Sequence, residues 1–155
     1  MTEHDTPETD GLLHMVLALW RRPTSGGPME PRDALECARD GGVVGDHTFG
    51  GSRHVTLIFE DDWKAATTEL GHGVDPSGRR ANVLLSGGNG QRLVGRTIRL
   101  GALRIEVKSI TSPCKIMERA ATGLMDALKP DGRGGVWGTI LNDGTLRPGD
   151  ALSVD

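Results

Sequence analysis

Apolar and polar positions alternate most regularly in the second half of the chain. Leu103, Ile105 and Val107 alternate with Arg104 and Glu106, and Ile98 and Leu100 flank Arg99 just before them. A period of two predicts two strands, each with one dry and one wet face, joined by a tight hairpin at Gly101. Residues 15–20, Val55–Phe59, 81–85 and 136–141 are apolar almost throughout. Short runs of that kind predict buried strands. Residues 151–154 supply one more strand at the end of the chain. Helical signals are fewer. Asp61 or Asp62 is placed to cap a helix running to Leu70, with Trp63, Ala66 and Leu70 on its buried face. Residues 33–39 read as a short helical turn, and residues 115–121 have helical composition. Gly- and Pro-rich stretches at 23–31, 41–51, 87–88, 142–144 and 148–150 read as loops and turns. About seven short strands with one to three short helices predict a mainly β, barrel-like fold rather than a βαβ fold.

The chain has 155 residues, enough for one domain with its own core. Residues 1–13 carry Glu3, Asp5, Glu8 and Asp10 and read as a disordered acidic tail, which leaves 14–155 as a single domain. No apolar run approaches the ~18–20 residues needed to cross a bilayer, and no basic stretch precedes the run at 15–20 as an export signal requires. No membrane partner is expected. The formal net charge is −3, and aromatic residues make up 3% of the chain. Neither a basic footprint nor a stacking platform for nucleic acid is present. Only four of the 18 basic residues are Lys, a bias toward the planar fork that recognises anions. Two cysteines, Cys37 and Cys114, make no disulfide framework, and the chain reads as cytoplasmic.

Cys114 is the residue with most chemistry. It follows a strand, precedes a helical segment, and stands beside Lys115 with Arg119 further on. Those surroundings favour a thiolate, which serves soft-metal ligation or sulfur transfer. The other reading is a small buried hydrophobe, the usual state of a free cysteine. Cys37, between Glu36 and Ala38 on an apolar face, reads as core. Gly45-Asp46-His47 allows close backbone approach to a ligand, an orienting or locally bonded carboxylate, and an imidazole for acid–base work. Arg53-His54 follows nearby, and a surface role suits His54. Arg79-Arg80-Ala81-Asn82 opens a strand with a possible bidentate anion clamp or a solvated charge pair. Gly132-Arg133-Gly134-Gly135 has the composition of an anion-binding loop. No phosphate-binding P-loop, nucleophile elbow or HExxH motif occurs.

In this order and spacing the pieces resemble a MOSC domain, the family named for the C-terminal domain of molybdenum cofactor sulfurases. The resemblance runs from about Met15 to Val154. It rests on Gly45-Asp46-His47, Arg80-Ala81-Asn82, the Leu-Gly-x-Leu-x-Ile-x-Val pattern ending at Val107, Pro113-Cys114, the glycine run around Arg133, and the Gly144-Thr145-Leu146-Arg147-Pro148-Gly149-Asp150 ending. Ala81 departs from relatives that carry an acidic residue there. The resemblance implies a barrel-like β fold with a cleft around the cysteine. It implies the molybdenum cofactor, with Cys114 as metal ligand and Gly45, Arg80, Asn82 and Arg133 lining the cofactor site. Asp46 and His47 become candidate catalytic groups beside Cys114. The implied activity is an oxidoreductase acting on N-hydroxylated small molecules, with electrons from a separate protein. The alternatives are a sulfurtransferase carrying a Cys114 persulfide loaded by a cysteine desulfurase, and a cofactor-binding module without turnover.

Overall fold

A computed structural model of the protein describes residues 14–155; the expected acidic tail lies outside them. Among the described residues, eleven strands and two α-helices build the fold. In chain order these are β1 (Val16–Arg21), β2 (Glu30–Arg32), β3 (Leu35–Ala38), β4 (Gly42–Val43), β5 (Val55–Phe59), α1 (Glu60–Leu70), β6 (Val83–Leu85), β7 (Thr97–Leu100), β8 (Leu103–Ile110), α2 (Leu124–Ala127), β9 (Val136–Ile140), β10 (Gly144–Leu146) and β11 (Leu152–Val154). Eight strands form one sheet in the order β11-β7-β8-β9-β5-β6-β1-β2, and β10-β3-β4 form a second, small sheet. Pairing is antiparallel except between β5 and β6, whose parallel register requires the crossover through α1. The large sheet curls until a bridge between Met15 and Ala151 ties the start of β1 to the start of β11. The result is a mainly β, barrel-like fold.

The two hydrophobic patterns have two packing causes. Alternating β8 sends Leu103, Ile105 and Val107 into the main core and leaves Arg104 and Lys108 exposed. Continuous β5 is covered on both faces. Val55, Leu57 and Phe59 join the main core, while Ile58 packs outward with Trp20, Ala81 and Leu84. A third cluster under α1 combines Trp63 and Ala66 with Met117, Leu124 and Leu128. The hairpin at Gly101 is as expected: Leu100 pairs with Leu103, and Gly101 has a φ of 56°.

Three local expectations change. Residues 33–39 form no helical turn; Leu35–Ala38 is a strand. Leu35 and Cys37 point inward, and the strand pairs with β10 and β4. Four residues fit either period, and long-range pairing decides between them. Second, no side chain caps α1 at Phe59; Asp62 instead accepts from the amides of Asn89 and Gly90 at 3.0 and 3.1 Å, holding the turn that leads to β7. Third, the segment after Cys114 is a five-residue 3-10 turn, Lys115–Arg119, not an α-helix. It is too short to carry a substantial helix dipole.

Candidate active site

Strand alternation divides the arginines at the end of β1. Leu19 faces the main core and Trp20 the outer cluster. Arg21 therefore follows the inner side and Arg22 the outer side. On that outer side, at the level of Thr56, lies a cleft of about 160 Å³. Its walls come from the end of β1 (Arg22), the 46–48 turn, Arg53, the Arg79–Asn82 segment and the stretch after β8 (Thr111 and Cys114).

The structure brings Cys114, Asp46, His47, Arg80 and Asn82 into this one cleft. Cys114 is exposed there, which removes the buried-hydrophobe reading. Cys37 is buried in the main core, and burial pushes its thiol up to about 12. The two cysteines are thus chemically distinct. In the native protein a thiol reagent at neutral pH should label Cys114 and leave Cys37 intact. Peptide mapping after labelling checks this, with Cys37 reacting only once denaturant is added.

Asp46 is saturated. One carboxylate oxygen accepts from the Arg22 amide at 2.7 Å and the Asn82 amide group at 3.4 Å. The other accepts from the amide and hydroxyl of Thr48 at 3.2 and 2.6 Å. Such a carboxylate positions the cleft wall and has no free lone pair aimed at a substrate. Asn82 acts similarly: its side-chain oxygen accepts from the Thr56 amide at 3.0 Å, and its nitrogen donates to the Trp20 carbonyl at 3.3 Å. It ties β1, β5 and the start of β6 to Asp46. The half-buried His47 ring accepts from the Arg22 guanidinium through Nε2. Burial, then Arg22, holds its pKa below the ordinary value, so the neutral ring is favoured.

Charge is the unusual property of this cleft. Arg22, Arg53, Arg79 and Arg80 line it against the single carboxylate of Asp46. Arg79 is buried, and its donors end on the Gly134 carbonyl, the Thr111 hydroxyl and the Met117 sulfur. None of these is a carboxylate. Burial pushes the Arg79 pKa down to about 10, with Cys114 opposing that fall and Arg53 adding to it. Arg80 holds a left-handed backbone with φ 66°, unusual for a non-glycine residue. Its Nη2 donates to the Gly27 carbonyl, yet its Nε is buried without a partner. The Nε of Arg22 is buried and unpartnered as well.

Two expected cofactor residues lie elsewhere. Arg133 donates to the Glu69 carboxylate and, at 3.0 Å, to the Ala127 carbonyl, which ties its loop to the helices rather than to the cleft. Gly45, with φ 85°, leaves room for Arg21: a Cβ there would lie 2.6 Å from Arg21 Nη1. His54 is buried rather than at the surface, and its Nδ1 accepts from the Ile140 amide at 3.1 Å. Arg53, noted beside the Gly45-Asp46-His47 cluster, does line the cleft, whereas Arg22 and Thr111 were not legible as site residues. Their only signal is strand parity, which places Arg22 beside Trp20, together with long-range contacts.

The curled β sheet thus holds one exposed thiol in a cleft lined by four arginines. The chain belongs to the MOSC domain family, whose model matches residues 44–153. No protein of curated function matches its sequence. Solved structures share the fold at low identity. The YuaD protein from Bacillus subtilis superposes with a TM-score of 0.79 at 17% identity, covering 91% of this chain and 95% of that one. YiiM from Geobacillus stearothermophilus gives 0.68 at 14% identity over 92% and 73% of the two chains. YiiM from Escherichia coli gives 0.67 at 16% identity over 91% and 69%.

Proposed function

We propose that this chain binds the molybdenum cofactor in the Cys114 cleft and reduces N-hydroxylated small molecules there. The observation that carries the reading is the pair of buried, unpartnered Nε donors on Arg22 and Arg80, two residues that line the same cleft as the exposed thiol. Unpaired buried donors cost about 1–3 kcal/mol each, and an anionic ligand would satisfy both. The donor set fits a phosphorylated pterin carrying a soft metal. Arginines suit the phosphate, and the thiolate suits the metal. Among the described residues no group of three or more His, Cys, Asp or Glu is arranged to hold a metal ion. A metal here would therefore arrive already held by an organic ligand, with Cys114 Sγ as its protein anchor.

When bound, the cofactor supplies a two-electron reductant for an N–O bond. The overall change is R₂N–OH + 2 e⁻ + 2 H⁺ → R₂N–H + H₂O, with electrons from a separate donor protein. This chain's residues bind and orient. Arg22 and Arg80 would clamp the phosphate, and Arg79 supplies a fixed positive field behind Cys114. His47 accepts from Arg22 at Nε2, so its neutral ring keeps a hydrogen on Nδ1, which would donate a hydrogen bond to a bound substrate while the two protons come from solvent. Asp46 and Asn82 position the 46–48 turn. No helix of the described residues is long and apolar enough to cross a membrane.

The test is the molybdenum content of the protein purified from a host that makes the cofactor, followed by assay of a hydroxylamine or N-hydroxy base with a chemical electron donor. Near-stoichiometric metal and turnover are expected. Protein that is cofactor-free from such a host, and stays so after incubation with released cofactor, would overturn the reading.

A further inference from the structure

The arginine that parity sends the other way, Arg21, belongs to a second cleft. β1 and β2 pair with Leu19 opposite Arg32 and Arg21 opposite Glu30. Directly opposed residues share a face, so Arg21 and Arg32 project from the same side of this ribbon. Across from them stands the small sheet, in which Thr145 is opposite Glu36. Arg147 follows two residues after Thr145 and shares its face. Arg21, Arg32 and Arg147, together with Glu36 and Thr145, line a cleft of about 310 Å³ between the ribbon and the small sheet. It shares no lining residue with the Cys114 cleft.

We propose that this outer cleft is a second binding site, for a small organic phosphate. Three arginines from separate stretches of chain line one concavity in which Glu36 is the single carboxylate residue. Arg21 makes one bond to Glu30 at 3.3 Å, and the side chains of Arg32 and Arg147 have no hydrogen-bond or ion-pair partner among the described residues. Like charges gathered without partners repel, and an anion of two or more charges removes that repulsion while filling the planar donor forks. The backbone makes room for the arrangement: Gly45 adopts a positive φ, and any side chain there would collide with Arg21 Nη1. The volume lies at the small end of the ~300–1,000 Å³ range of ligand clefts, which suits a small metabolite. Glu36 and Thr145 offer acceptors, and Thr145 a donor, for hydroxyl groups on its organic part. This site stands independently of the molybdenum reading.

Isothermal titration of the full chain at low ionic strength tests it, with inorganic pyrophosphate, inorganic phosphate and a sugar monophosphate as probes. Pyrophosphate affinity should fall about tenfold or more in R32Q/R147Q, since two charge-assisted donors are lost. It should rise several-fold in E36Q, where the one facing carboxylate is neutralised. The Cys114 cleft offers pyrophosphate its own arginines, so R80Q should remove only that component, and the component lost in R32Q/R147Q should persist in R80Q and C114A. A sugar monophosphate binding more tightly than inorganic phosphate marks the organic phosphate as the ligand. The exposed positions of Arg32 and Arg147 keep the double variant folded, which a thermal melt checks. An R32Q/R147Q isotherm identical to wild type, or binding that disappears in R80Q alone, would confine anion binding to the Cys114 cleft and overturn the proposal.

Discussion

Cys114→Ala purified from a cofactor-making host should contain no molybdenum and should have lost N-hydroxy reduction by more than about a hundredfold. The loss should exceed the ~10–100-fold typical of removing an outer-shell partner, because here the anchor itself is gone. Its melting temperature should match that of cofactor-free wild type, since Cys114 is exposed and belongs to none of the three packed clusters. Exposed substitutions of this kind change stability by about 0.5 kcal/mol or less. Cys114→Ser should behave like Ala in metal content, because its hydroxyl stays protonated and hard where the thiolate is soft. The anion clamps on the cleft wall are untouched in both variants, so pyrophosphate affinity should survive. The combination separates the thiol's chemical role from the arginines' binding role. Metal retained in Cys114→Ala would remove the thiol from the site. Metal absent from wild type as well, with Cys114 gaining the mass of one sulfur after treatment with a cysteine desulfurase and cysteine, would identify sulfur transfer instead.

The elements legible in the sequence are those whose pattern reports burial directly. Leu103, Ile105 and Val107 alternate because one face of β8 packs inward, and Val55–Phe59 is continuous because both faces of β5 are covered. β3 was not legible. Its four residues carry no unique period, and its strand form depends on partners about a hundred residues away in β10. The same distinction separates the site residues. Cys114, Asp46 and Asn82 stood out by local motif. What Asp46 does was hidden, since its donors come from Arg22, Thr48 and Asn82, and only folding shows that they occupy its lone pairs. Arg79 and Arg133 look alike in sequence, each an arginine directly after a glycine. The fold turns Arg79 inward onto Thr111 and Gly134 and sends Arg133 to Glu69. The glycine at Gly45 signals a close approach, but the group against it is Arg21 on the inner side of β1, not the cleft that holds Cys114.

The buried Arg79 leads to the second large effect. Its charge has no carboxylate partner, and a buried cation held only by neutral acceptors is costly. Replacing it with Met, similar in length and uncharged, removes that cost. The acceptors it leaves are largely satisfied: the Gly134 carbonyl still accepts from the Thr111 hydroxyl at 2.6 Å. The Met117 sulfur, 3.9 Å from Arg79 Nη1, makes an apolar neighbour for the new thioether. Arg79→Met should therefore unfold in urea within about 1 kcal/mol of wild type, or slightly later. Its function should fall steeply all the same. The positive charge behind Cys114 is gone, so the protein should lose molybdenum on gel filtration, and its pyrophosphate binding in the Cys114 cleft should weaken by about tenfold or more. Arg79→Ala is the structural control: it opens a cavity at the same place and should cost about 2–4 kcal/mol. If Arg79→Met instead lost about 3 kcal/mol or more while keeping its anion affinity, the guanidinium would be a structural strut between β8 and the 132–135 loop. A stable variant with an impaired cleft means that this fold accepts an unpaired cation for the sake of the anion it binds.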